Sequence, residues 1–183
     1  GVDRDSIYLI CEMDIDQVFS KLAAMDTPPS LLIVDSIQTI STETSAGNVG
    51  SVSQIRESTG RIIQYAKTFQ IPAILIGHVT KSGDVAGPKV LEHMVDTVLS
   101  LEGSDKFDYR IIRCEKNRFG SVSEVGVFTM GEVGMVDVLN PSELFLTEGV
   151  LKVPQEGATV VIAVEGSRCL LAEVQCLVGT THS

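Results

Sequence analysis

Two short aliphatic runs, Leu31-Leu32-Ile33-Val34 and Ala73-Ile74-Leu75-Ile76, bracket an amphipathic stretch from Ser51 to Phe69. Strands apolar at every position have no solvent face. They belong inside a sheet covered on both sides, which is the habit of parallel sheets. Along Ser51–Phe69, Val52, Ile55, Thr59, Ile62, Ile63 and Ala66 line one side. Arg56, Glu57, Arg61, Gln64 and Lys67 line the other, so the stretch reads as a surface helix. An earlier unit has the same grammar. Ile7–Ile10 reads as a short strand, and Asp14–Met25 as a helix with Ile15, Val18, Phe19 and Leu22 at helical spacing and Asp14 as N-cap. Strand–helix–strand order of this kind predicts an α/β fold with a parallel sheet and right-handed crossovers.

From Val95 the pattern changes. Val95–Leu101, Tyr109–Glu115, Glu124–Met130 and Met135–Val138 read as strands joined by short turns, expected to extend one edge of the parallel sheet in antiparallel fashion. Asn140-Pro141-Ser142-Glu143 reads as a helical start, Val150–Glu156 as a linker, and Ala158–Val164 with Cys169–Val178 as a hairpin. A two-stranded hairpin is marginal alone. The tail is therefore expected to begin a further domain, giving boundaries of 1–149, 150–157 and 158–183. Ser41–Gly50 reads as a mobile loop, and Val79–Pro88 as a second one.

The 183 residues suffice for one sizeable core and part of another. No apolar run approaches the roughly 20 residues that cross a bilayer, so no membrane association is expected. Cys11, Cys114, Cys169 and Cys176 include no C-x-x-C pair and sit in apolar stretches. They read as buried thiols in a reducing compartment. The net charge of −10 argues against indiscriminate binding to nucleic acid, but residues 56–118 hold ten of the fourteen Lys/Arg and eight of the twenty-four Asp/Glu. A polyanion could be tolerated there, or the charges could simply be solvated.

In open α/β sheets, ligands bind at the C-terminal ends of the strands. Asp35, followed by Ser36, ends one buried run, and His78 follows the other. Asp35 could hold Mg²⁺ directly or through water, and His78 could donate to a terminal phosphate; the competing reading is a helix-capping or structural role for Asp35 and a structural one for His78. The dipeptide Gly-Lys never occurs, so the phosphate loop G-x-x-x-x-G-K-[ST] is missing from the sequence. Gly83–Lys89 is no substitute, because its spacing is wrong and Pro88 removes a backbone donor. Lys81 and Lys89 flanking it could meet a DNA backbone. In Lys116-Asn117-Arg118-Phe119-Gly120, a strand would point Lys116 and Arg118 to one face, where they suit an anion; the alternative is a solvated edge with Glu115 as partner.

Five segments together resemble one family: Leu31–Thr39, Gly50–Glu57, Gly77–Lys81, Ala86–Asp96 and Lys116–Gly120. They are similar to the RadA (Sms) DNA-repair ATPases of bacteria and organelles, relatives of RecA. The stretch from Asn140 to Gln175 resembles that family's passage into its Lon-protease-like domain. The resemblance implies the C-terminal part of a RecA-like P-loop core and the beginning of a Lon-like domain. It also implies ATP and Mg²⁺ as cofactors, and rings on single-stranded or branched DNA that drive branch migration with a recombinase as possible partner. The setting would be the bacterial cytoplasm, or an organellar matrix or stroma.

By position, Asp35 would be the Walker B residue with Ser36 beside it, and His78 the phosphate sensor. Lys116 and Arg118 would act at an ATP site across a subunit boundary, and loops 41–50 and 79–88 would contact DNA. The family's zinc-binding cysteines are not in this sequence, nor is an acidic residue on the preceding strand to activate water. The chain begins at Gly1 without an initiator Met, and a phosphate loop upstream of Gly1 is expected. Such a parent would be an ATP hydrolase, while the 183 residues alone would not turn over ATP. A non-catalytic DNA-binding or assembly module, or a fragment of another RecA-like helicase, is the competing expectation.

Overall fold

The computed structural model describes residues 4–78, 87–103, 108–132, 134–144, 146, 156–165 and 168–177. The chain divides into two compact units, residues 1–95 and 96–183.

In the first unit, α1 (Ile15–Ala23) starts at Asp14, whose carboxylate accepts the Asp16 N–H at 2.9 Å. Its apolar stripe buries Ile15, Val18 and Leu22. Strand β1 (Leu32–Asp35) pairs in parallel with β2 (Ala73–Ile76), Leu32 opposite Ala73 and Asp35 opposite Ile76. Between them runs α2 (Val52–Phe69), capped by the Ser51 hydroxyl and closed by Gln70 in the left-handed region at φ 56°. A short helix, α3 (Gly87–Glu92), follows.

The core consists of Ile15, Val18, Leu22, Val34, Ile37, Ile40, Ile55, Ile62 and Leu91, with Leu32, Ala73 and Leu75 packed against it. One face of the parallel pair is therefore inward. Paired residues share a face and alternate along each strand, so Ile33 and Ile74 point the other way, 56% and 50% exposed, and among the described residues the pair is not covered on both sides as expected. Asp35 shares that outward face.

The second unit contains a four-stranded antiparallel sheet, β3 (Thr97–Gly103), β4 (Tyr109–Asn117), β5 (Val125–Gly131) and β6 (Gly134–Asp137), ordered by sequence. After a 3₁₀ turn at Pro141–Leu144 comes the hairpin of β7 (Ala158–Glu165) and β8 (Arg168–Gln175), paired from Ala158–Gln175 to Glu165–Arg168. Gly157, at φ 79°, leads into it. A Cβ there would lie 2.7 Å from the Cys176 carbonyl oxygen, so only glycine fits. The Ser142 hydroxyl accepts the Leu171 N–H at 3.1 Å, tying the 3₁₀ turn to β8.

Four further expectations change. The antiparallel strands do not extend the parallel pair; among the described residues they form a sheet of their own, because each strand pairs with its sequence neighbour. Ile7–Ile10 is not a strand: it has no ladder partner among the described residues, and Ile7, Tyr8 and Leu9 stand 59%, 73% and 87% exposed. The cysteines are not buried. Cys11, Cys169 and Cys176 are exposed and Cys114 is intermediate, since Cys11 follows that unpaired segment and the other two exposed ones lie along a hairpin.

Loop 41–50 is tied down where mobility was expected. The buried Gln54 carboxamide accepts the Thr42 N–H at 3.0 Å and donates to the carbonyls of Thr42, Ser45 and Gly47 at 3.1, 2.8 and 3.2 Å.

Candidate functional site

Parallel pairing brings the C-terminal ends of β1 and β2 to one edge, and with them Asp35 and His78. The His78 Nε2 lies 3.7 Å from the Asp35 Oδ1, and the side chains are 73% and 64% exposed. This distance is beyond a hydrogen bond. The carboxylate stands open at the strand tip, a donor set that fits an oxygen-seeking cation held partly through water. The described residues contain no group of three His, Cys, Asp or Glu that could hold a metal. Mg²⁺ at Asp35 would thus need oxygens from a phosphate or from water as well.

Ser36 is nearly buried, at 8% exposure. Its peptide with Asp35 is cis. Its carbonyl accepts both the N–H of Thr39 at 3.1 Å and its hydroxyl at 2.8 Å, which closes a 3₁₀ turn at Ile37–Thr39. From that turn Gln38 reaches across, and its Nε2 donates to the His78 carbonyl at 2.9 Å. The Gln38 Oε1 is buried without a hydrogen-bond partner among the described residues. Gln38 therefore links the segment after Asp35 to the end of β2.

The cations of the Lys116–Gly120 segment belong to the second unit. Lys116 lies on β4 opposite Val98. Arg118 lies just beyond the strand's last residue, its N–H still bonded to the Asp96 carbonyl at 3.0 Å. The end of the strand is local in origin. The Asn117 Oδ1 accepts the Phe119 N–H at 3.1 Å, a side-chain turn that ends the strand. The Arg118 Nη1 donates to Asp96 at 2.8 Å, and Glu115, the partner expected for a solvated edge, accepts the Ser100 hydroxyl at 3.0 Å. Lys89 sits on α3, whereas Lys81 and residues 79–86 of the second loop lie outside the described residues.

A second polar cluster anchors loop 41–50. Arg61 on α2 donates through Nη1 to Asp16 at 2.9 Å and to the Thr42 hydroxyl at 2.6 Å, and through Nη2 to the other Asp16 oxygen. Phe19 lies under the guanidinium at 5.8 Å and stacks on Tyr65 at 4.7 Å. The Arg61 guanidinium holds the Asp16 carboxyl below the usual carboxylate range, by hydrogen bonding first. A depressed folded-state pKa contributes stability that is complete above the unfolded value, about 3.9. That contribution is lost as pH falls through the folded value. With side chains 45% and 26% exposed, screening keeps it modest. Asp16→Asn is expected to flatten the fall of melting temperature below about pH 4 and to leave its shape near neutrality unchanged. Parallel curves for the two proteins in acid would refute this.

Sequence reasoning missed three residues: Gln38, Gln54 and Asp96. Gln54 leaves one trace, a polar side chain directly beside Ile55 on the buried side of α2. Gln38 and Asp96 leave none, since their partners are 40 and 22 residues away.

No family model matches the chain. It is 44% identical over 181 residues to the DNA repair protein RadA of Bacillus subtilis, covering 99% of this chain and 39% of that protein. It is 48% identical over 183 residues to the DNA repair protein RadA of Streptococcus pneumoniae, covering 98% of this chain and 42% of that one. The crystal structure of the RadB recombinase is similar at a TM-score of 0.46 and 23% identity, over 68% of this chain and 59% of that chain. No described helix is long and apolar enough to cross a membrane. The chain spans about two-fifths of the length of the curated relatives it matches, and over that stretch it belongs to the RadA family of DNA repair proteins.

Proposed function

We propose that this stretch carries the metal-side edge of a nucleotide site in an ATP-dependent DNA repair and recombination protein of the RecA-like class, one that drives branch migration. The observation that carries the reading is the meeting of Asp35 and His78, 3.7 Å apart at the C-terminal ends of two parallel strands. Asp35 holds Mg²⁺ directly or through water, with Ser36 buried behind it, and His78 senses the terminal phosphate. Bound Mg²⁺–ATP supplies the phosphoryl group and neutralises its charge. Lys116 and Arg118 act on phosphate at a neighbouring copy's site, in a ring on single-stranded or branched DNA. Loops 41–50 and 79–88, with Lys81 and Lys89, face the DNA. Residues 1–149 form the ATPase core, 150–157 the linker and 158–183 the start of a Lon-like domain. A two-stranded β7–β8 hairpin in need of further strands supports that last assignment.

The 183 residues alone are expected to show no ATP turnover, because no Gly-Lys phosphate cradle is in the sequence. Turnover that vanishes in Asp35→Ala would overturn this. Added to the Bacillus subtilis RadA in an ATPase assay with DNA, the chain is expected to stimulate or poison turnover, and Lys116→Ala with Arg118→Ala should abolish the effect. Indifference of the ATPase to the chain rejects action in trans.

For DNA, a phosphate-contacting Lys81 predicts that Lys81→Ala lowers the slope of log affinity against log salt by about one. An unchanged slope removes Lys81 from the contact surface.

A further inference from the structure

Asp96 stands opposite Arg118, one step beyond the Thr97–Asn117 pair that ends the β3–β4 ladder. It takes two hydrogen bonds from Arg118. The Arg118 N–H donates to the Asp96 carbonyl at 3.0 Å, and the Arg118 Nη1 donates to the Asp96 Oδ1 at 2.8 Å. On the other side Asn117 closes the turn, its Oδ1 on the Phe119 N–H and its Nδ2 donating to the Ser121 carbonyl at 3.4 Å. Arg118 is thereby fixed through main chain and side chain together.

A guanidinium has five N–H donors in one plane, and the contact with Asp96 engages Nη1 alone. The Arg118 side chain remains 68% exposed. We propose that Asp96 is a positioning residue that holds Arg118 by one nitrogen and presents the rest of its fork to two oxygens of a phosphate. This rests on the reading of Arg118 as a phosphate-binding cation. An ion pair this exposed adds little stability. Its use is to reduce the rotamer freedom that Arg118 would otherwise lose when a ligand binds.

Asp96 has two opposing effects on an anion: it orients Arg118 and it repels the ligand. Asp96→Asn removes the charge and keeps the Oδ1 acceptor, whereas Asp96→Ala removes both. The main-chain bond from Arg118 to residue 96 survives either change, so the ladder end should stay intact, as the main-chain NMR shifts of β3 and β4 can verify.

The experiment titrates inorganic tripolyphosphate into the 183-residue chain at low salt, with affinity read by calorimetry and the Arg118 Nε–H resonance followed by NMR. Arg118→Ala is expected to weaken binding markedly. Asp96→Ala is expected to bind about fivefold more weakly than Asp96→Asn, the freedom of one long side chain, and to broaden the Arg118 resonance that Asp96→Asn keeps sharp. Equal affinities, or tighter binding by Asp96→Ala, overturn the positioning role while leaving Arg118 as the cation. Unchanged binding by Arg118→Ala overturns both.

Discussion

Ile62→Ala is expected to destabilise the first unit by about 3 kcal/mol, within the range for emptying a fully buried aliphatic site. Ile62 is 0% exposed and sits in the cluster with Ile15, Val34 and Ile55. The loss has two parts, the transfer of the missing methyl and methylene groups to water and the cavity they leave. Alanine's better helix propensity returns at most about 0.5 kcal/mol. Ile62→Val should cost about 1 kcal/mol. Lys67→Ala, on the exposed side of the same helix, should change stability by no more than about 0.5 kcal/mol. Urea unfolding followed by circular dichroism at 222 nm reports on α1 and α2, both of which lie in this unit. If Ile62→Ala and Lys67→Ala unfold at the same midpoint, α2 does not bury the face described.

That face shows what the sequence made legible. Ile55, Thr59 and Ile62 recur at helical spacing, Ser51 marks the start, and the aliphatic runs mark β1 and β2, although Ile33 and Ile74 turn to an open face where a covered one was expected. Strand order then brings Asp35 and His78 to one edge with no further information. Ile7–Ile10 is as apolar as β2, yet a strand exists only where another backbone can satisfy its N–H and C=O groups. Arg118 was legible as a cation, whereas the end of β4 just before it was not, because the turn there depends on one Asn117 side chain. Gln38 and Asp96 act on main-chain or charged atoms far along the chain. Such contacts follow from how strands are placed and leave no periodic signature.

Gln54→Ala is the sharper test, because it separates loop from core. Gln54 is 4% exposed, and its carboxamide accepts one N–H and shares its two amide hydrogens among three carbonyls of loop 41–50. Each such bond is worth about 1 kcal/mol net. A loop that peels away can, however, rehydrate its own backbone. The expected cost is therefore about 2–3 kcal/mol, not the sum of the bonds with the burial penalty added. Gln54→Glu should do no better, since a carboxylate keeps the bond from Thr42 N–H but opposes the three carbonyls with an acceptor. Hydrogen exchange should show the Thr42 amide losing protection far beyond the drop in global stability, while amides in the middle of α2 follow the global change. Arg61 still grips the Thr42 hydroxyl, so the loop should open from its Ser45–Gly47 end. In a loop that meets single-stranded DNA, as proposed, a pre-ordered backbone spares ordering entropy on binding. Gln54→Ala should then weaken DNA binding at temperatures where the unit remains folded. Equal affinity for DNA would place the binding surface elsewhere, and equal protection at Thr42 would mean that Gln54 does not hold the loop.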